Sequence, residues 1–277
     1  MKKTNLQNNQ LFGLGLRQIH HSYILKNKPK IDFFEIHSEN FIAKGGPSIN
    51  FLEQIAEIYP LSFHCVGLSL GSKSGIEKEH LENIKFLIDK FQPFLISDHL
   101  SWSSSNFGTS NDLLPIPYNK ESLAVFIDNI KRVQDVFGRN ILIENPTAYL
   151  EFEDSDMTEF EFLNKIAEKS ECQLLLDINN IFVTSKNFNL NPISYLDNIY
   201  LNKVKEIHLA GHVICKMGQE EIRIDTHSRK ISQEVLDLYQ YFIRKNNLNI
   251  PTLIEWDEDI PEFNILKQEL KIVKEVS

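Results

Sequence analysis

Residues 173–178 read QLLLDI, three leucines in a row closed by an aspartate. An apolar run of this length, bounded by polar residues, reads as a strand buried on both faces. The same form recurs upstream in LFGLGL (11–16), IDFFEIH (31–37), LSFHCV (61–66), PFLISDH (93–99) and NILIEN (140–145), and downstream in VKEIHL (204–209) and PTLIEW (251–256). Between these runs the apolar spacing changes to threes and fours. Leu123, Phe126, Ile127, Ile130 and Val133 form one stripe in 120–137, and Phe160, Leu163 and Ile166 form another in 156–170. Val235, Leu238, Tyr241 and Phe242 repeat the pattern in 230–245. Eight buried strands alternating with helices predict an α/β chain with a parallel sheet, and the count points to closure as a (β/α)8 TIM barrel over an open doubly wound sheet.

A barrel of this kind typically needs roughly 250 residues. The 277 residues therefore suit one domain over 1–277, with the polar 1–10 loosely ordered. The 42% apolar fraction is that of a globular chain, and the 24% charged fraction argues against disorder. No run approaches the roughly 18 apolar residues that span a bilayer. The opening MKKTNLQNNQ lacks the apolar stretch of a signal peptide, so a cytoplasmic protein without a membrane partner is expected. Lys and Arg number 29 against 38 Asp and Glu, and basic residues form only short pairs such as Lys131–Arg132, which disfavours nucleic acid as a partner. Cys65, Cys172 and Cys215 are scattered outside any CxxC spacing, which disfavours a disulfide framework or a thiolate zinc site.

Two long non-helical stretches follow strands four and seven: 101–119 (SWSSSNFGTSNDLLPIPYN) and 212–228 (HVICKMGQEEIRIDTHS). Loops on that face of a barrel are where sites are built. GLSLGSKSG (67–75) lacks both the P-loop ending and dinucleotide spacing, and reads as a tight loop.

The ends of the strands carry the chemistry. His64 closes strand three, His99 four, Glu144 five, Asp177 six, His208 seven and Glu255 eight. A lone histidine at a strand end is more often hydrogen-bonded than metal-bound. Six ligand-type residues on six consecutive strands are different, because a barrel brings those ends to one mouth and buried charges need a partner or a metal. The DTH of 225–227 adds Asp225 and His227, on one side of the chain if extended. Asn180, three residues beyond Asp177, is placed to reach back as an amide-oxygen ligand. His212 sits in a turn after Gly211 and reads equally as a ligand or as a second-layer or substrate contact. So many donors exceed what one ion accepts and ask for at least two, with bridging carboxylates. Mixed nitrogen and oxygen donors suit iron, manganese or zinc alike.

The segments GLGLR (13–17), FFEIHSENF (33–41), FHCVGLSLGS (63–72), SDHLSWS (97–103), LIENPTAYL (142–150), LLLDINNIFV (174–183), EIHLAGH (206–212), IDTH (224–227) and LIEWD (253–257) together resemble the multinuclear non-heme iron-dependent oxidative enzymes. That family is similar in fold to sugar isomerases of the xylose isomerase kind and to metal-dependent abasic-site endonucleases. The resemblance implies two or three iron ions of mixed Fe(II)/Fe(III) valence and molecular oxygen as co-substrate. It implies oxidation of cysteine in a ribosomally made precursor peptide, with a small partner protein that recognises the leader. It carries the metal-ligand pattern onto His64, His99, Glu144, Asp177, His208, Asp225, His227 and Glu255, with Asn180 in a ligand-like position. His212, Arg17 and His20 are the catalytic candidates, and Glu39, Asn40 and Trp102 are further candidates for orienting the peptide. Cys65 stands where many members have Gly, and Asp98 where many have Glu. The competing reading is a zinc or manganese hydrolase or isomerase of the related barrel class, in which the metals activate water.

Overall fold

The computed structural model describes residues 10–43, 45–105, 108–218, 220–246 and 248–277, so most of the expected loose lead at 1–10 lies outside the described residues. Each apolar run forms a parallel strand: β1 (Phe12–Gly15), β2 (Phe33–His37), β3 (Leu61–His64), β4 (Leu95–His99), β5 (Leu142–Glu144), β6 (Gln173–Asp177), β7 (Val204–Leu209) and β8 (Thr252–Ile254). They pair in chain order, and β8 returns to β1 through Phe12↔Thr252 and Leu14↔Ile254, closing the barrel. The outer layer comprises α1 (His21–Asn27), α2 (Pro47–Ala56), α3 (Lys78–Phe91), α4 (Lys120–Phe137), α5 (Glu159–Lys169), α6 (Ile178–Asn187), α7 (Pro192–Asn198), α8 (Gln233–Asn246) and α9 (Phe263–Val276). None is long and apolar enough to cross a membrane.

Local chemistry sets the helix boundaries. The Asn119 side chain accepts hydrogen bonds from Glu121 N and Ser122 N at the start of α4, and Gly138 ends that helix at φ 69°. Thr158 and Glu161 form a reciprocal capping box that opens α5. The stripe expected in 120–137 faces the sheet, with Leu123, Phe126, Ile130 and Val133 buried. Phe126 is wholly buried, with its ring 6.0 Å from that of Phe162. Phe126→Ala removes a ring from this layer and is expected to lower stability by about 3–5 kcal/mol. Urea denaturation measures it, and a loss below about 1 kcal/mol would contradict the packing.

Strand alternation divides the side chains between two environments. Phe34, Ile36, Phe63, Ile96, Ile143, Leu174, Leu176 and Ile207 join the apolar layer beneath the helices. Their neighbours in sequence point into the barrel, as Ser62 on β3 shows by reaching Glu206 on β7. Gly13 makes room inside: a Cβ there would lie 2.4 Å from the Phe33 ring.

The two long stretches are not plain loops. Trp102–Ser105 pairs antiparallel with Gly108–Leu114, and Val213–Met217 with Glu220–Ile224. The first ribbon is largely polar, and the second carries only the short run Val213–Cys215, so neither offers an apolar run of the length that marks the barrel strands. The 67–75 segment is a loop as expected. Its amides at Gly67 and Leu68 donate to Glu39 Oε1 and Asp98 Oδ2, so they are committed to carboxylates of the chain.

Candidate metal centre

At the carboxyl ends of the strands, alternation places one polar side chain per strand around the mouth: Arg17, His37, His64, His99, Glu144, Asp177, His208 and Glu255. Contacts across the barrel show that they converge. The His64 ring lies 4.5 Å from that of His99 and 5.5 Å from that of His208, and His37 Nε2 lies 3.2 Å from Glu255 Oε1.

Two groups share one residue. His64 Nε2 and His99 Nε2 are 3.2 Å apart, and each is 3.4 Å from Glu144 Oε2. An ion with bonds of about 2.0–2.1 Å sets its donor atoms roughly 3 Å apart, so this triangle has the size of a coordination face. Ser97 Oγ lies 2.7 Å from His64 Nδ1, which leaves Nε2 turned toward the triangle. Glu144 also belongs to a second compact group with Asp177, His208 and Glu255. The chain holds Asp177 by Oδ1, which accepts from Asn180 N at 2.6 Å, while Asn145 exchanges hydrogen bonds of 2.9 Å with its backbone. Asp177 Oδ2 and Glu144 Oε2 are left buried with no hydrogen-bond partner among the described residues. Orphaned carboxylate oxygens in a buried ring of imidazoles are what a bound cation would satisfy, so the residues fit a metal.

The electrostatics agree. Burial and the neighbouring His99 hold His64 well below its ordinary pKa, which keeps it neutral and able to ligate. Burial pushes Glu144 up to about 7 and Asp177 well above the carboxylate range. Burial also acts to lower His99, yet Glu144 and Asp98 outweigh it and raise its pKa to about 9. A bound metal would displace protons from these groups, so its affinity should depend on pH.

Asp225 and His227 lie beside the second group. His227 Nε2 is 2.8 Å from Asp225 Oδ1 and 4.0 Å from Asp177 Oδ2, and its Nδ1 is 3.3 Å from Glu255 Oε2. Their proximity does not come from an extended segment, because His227 has φ 45° and turns the chain back. Asn180 turns its amide nitrogen to Asn145 O at 3.1 Å, and its Oδ1 lies 2.9 Å from the Thr147 hydroxyl. Thr147 is also 3.0 Å from Asp225 Oδ2. His212 stands one layer back: its Nδ1 lies 2.9 Å from Asn179 Oδ1, and Asn179 Nδ2 donates to Asp225 at 2.7 Å. Burial and the nearby Arg223 lower the pKa of His212.

Arg17 lines the mouth but is engaged. Its Nε donates to Trp256 O at 3.0 Å, and its NH2 pairs with Asp257 and lies 3.6 Å from Glu255 Oε1. His37, Glu255 and Asp257 form another compact acidic and imidazole group, and there the guanidinium already supplies the positive charge. His20 is buried edge-on against Phe263, with ring centroids 5.3 Å apart. Glu39 accepts from Val66 N, and its Oε1 lies 3.2 Å from His80 Nε2, so it braces the 67–75 loop. Trp102 Nε1 donates to Pro115 O, and Asn40 is exposed. Cys65 is buried and its thiol is pushed well up, by burial first and then by Glu39 and Asp98.

Glu35, Glu206, His37 and Asp257 belong to the cluster but were not among the residues expected from the sequence. A signal for the first three was present. EIH occurs at 35–37 and again at 206–208, and period two puts each Glu on the same face as its His.

Fold and site together define a (β/α)8 barrel with a multi-donor metal-type centre at its mouth. The chain belongs to the RiPP precursor modification enzyme MbnB/TglH/ChrH family, whose model matches residues 11–277; RiPPs are ribosomally made, post-translationally modified peptides. It is 48% identical over 257 residues to a UPF0276 protein of Psychromonas ingrahamii, covering 93% of this chain and 90% of that one. A UPF0276 protein of Vibrio vulnificus is 45% identical over 259 residues, covering 94% of this chain and 89% of that one. Among solved structures, 3-keto-D-glucoside 4-epimerase from E. coli superposes with a TM-score of 0.59 at 14% identity, over 96% of this chain and 99% of that one. L-ribulose 3-epimerase gives 0.60 at 12%, over 96% and 92%. These two likenesses concern the fold.

Proposed function

We propose that the protein is an iron-dependent oxidase that uses molecular oxygen to modify cysteine in a ribosomally made precursor peptide. The observation that supports it most is Glu144, common to two compact donor groups in a chain that belongs to a peptide-modifying family. His64, His99 and Glu144 would hold one ion, and Glu144, Asp177, His208 and Glu255 a second. Asp225, His227 and Asn180 would serve a third. The bound irons would supply the redox chemistry between oxygen and the substrate cysteine.

The chain's own residues bind and orient. Thr147 and Asn179 hold Asp225, and His212 braces Asn179. Arg17 offsets the charge of Glu255 and Asp257 at the edge of the mouth. The donor set contains no cysteine, and Cys65, next to His64, is buried with its thiol protonated, so it does not compete with a substrate thiol. The two ribbons follow β4 and β7, at the face where the peptide would enter. Leader recognition is assigned to a separate small protein, and the reaction to the cytoplasm.

The test loads the protein with iron(II) without oxygen. It then adds oxygen, a reductant, the partner and a cysteine-containing precursor encoded beside the gene. A change in peptide mass is expected. An unchanged peptide together with efficient cleavage of abasic DNA would instead favour the metal hydrolase reading.

A further inference from the structure

We propose that Glu35, in the middle of β2, is the positioning residue of the metal centre: it fixes the His208 ring from below so that Nδ1 faces Glu144, Asp177 and Glu255. The inference rests on the metal reading of His208 given above. His208 is completely buried, and each of its ring nitrogens has one carboxylate neighbour: Nδ1 lies 3.1 Å from Glu255 Oε2 and Nε2 lies 3.2 Å from Glu35 Oε1. An imidazole that ligates through one nitrogen keeps a proton on the other, and in a dry interior that N–H needs an acceptor. Glu255 sits with Glu144 and Asp177 at the mouth, whereas Glu35 forms a separate compact group with Glu206 and His208 below it. Nε2 is buried without a hydrogen bond in this structure, and Glu35 Oε1 at 3.2 Å is the carboxylate placed to accept its proton, which leaves the Nδ1 lone pair to ligate.

Glu35 is itself fixed. It is 1% exposed, and its strand position is paired on both sides, with Gly15 and with Ser62. Its second oxygen accepts from Ser62 Oγ at 3.0 Å, and that hydroxyl also lies 3.4 Å from Glu206 Oε2 on the far wall. The carboxylate is therefore held in place beneath the ring, as the acceptor that the buried Nε2 otherwise lacks. A support of this kind typically changes metal affinity about 10–100-fold when removed.

The experiment titrates anaerobic protein with iron(II) against a competing chelator in wild type, Glu35→Gln, Ser62→Ala and His208→Ala, with circular dichroism and melting of each metal-free protein as the folding control. Glu35→Gln is expected to fold and to weaken one ion about 10–100-fold while the ion of the His64 and His99 group keeps its wild-type affinity. Ser62→Ala, which frees only the second oxygen, should weaken the same ion by less, and it carries the test should Glu35→Gln fail to fold. In zinc-loaded protein the ring N–H proton of His208 should be visible by NMR in wild type and shifted in Glu35→Gln. Wild-type affinities in both Glu35→Gln and Ser62→Ala, with an ion lost in His208→Ala, would overturn the positioning role. Complete loss of an ion in Glu35→Gln would overturn it too, by making Glu35 a ligand. Unchanged binding in His208→Ala would instead strike the metal reading on which the inference stands.

Discussion

Glu144→Ala is expected to yield a folded barrel that has lost more than one iron and all oxidative activity. Glu144 is the only residue common to the His64–His99 group and the Asp177–His208–Glu255 group among the described residues. It lies on β5, with His99 on the neighbouring β4 and Asp177 on β6. Removing a donor that serves one ion should cost about one ion, whereas removing the shared donor should unsettle both. The fold should survive, because the side chain is a desolvated carboxyl whose pKa stands at about 7, and taking out such a group also removes its burial penalty. Metal analysis of anaerobically purified protein with Mössbauer spectroscopy reads the outcome. A single iron per chain at saturation, unchanged in Glu144→Ala, would leave Glu144 as a structural ion-pair partner.

The second large effect is expected at Gly211, just beyond β7. A Cβ built there would lie 2.1 Å from the carbonyl oxygen of Arg229 and 2.5 Å from that of Lys230. The obstacle is backbone, not the end of a flexible side chain. The facing segment is also pinned, since Asp257 N donates to His227 O at 2.7 Å and Ile231 N to Glu269 Oε2 at 3.1 Å. Gly211→Ala must therefore push 227–231 outward and carry His227 away from Asp225 and Glu255. The cost should reach or exceed the roughly 1–3 kcal/mol of ordinary overpacking, and metal binding should fall with it. Gly45→Ala is the control, because a Cβ there meets nothing within 4 Å and should change stability by less than about 0.5 kcal/mol. Equal melting temperatures for the two variants would show that the contact at Gly211 yields.

The barrel was legible because strands buried on both faces must be apolar almost throughout, as LLL in 174–176 and the FF of 33–34 are. The convergence of the six strand-end residues was legible for the reverse reason, since a charged side chain closing such a run has no bland explanation that holds six times. Glu35 and Glu206 were harder to see. They lie inside strands, one layer below the mouth, where a single glutamate among apolar neighbours looks like a surface position. His20, one of the catalytic candidates, packs edge-on against Phe263 at the turn into α1. The fold-back at His227 was not legible either, since a positive φ at histidine leaves no mark in DTH.

Because the donors are spread from His64 on β3 to Glu255 just after β8, no contiguous fragment holds the full set. A chain emerging from the ribosome completes the His64–His99–Glu144 face long before the rest, yet those three strands form only an open sheet until β8 reaches β1. Pairings this distant in sequence form late, after slow loop closure. Metal uptake should therefore follow barrel closure, and any ion bound only by the closed ring shifts the whole folding equilibrium by mass action. On the metal reading, chelation would leave the barrel folded but less stable, so metal supply should govern how well the protein resists proteolysis as well as how fast it works.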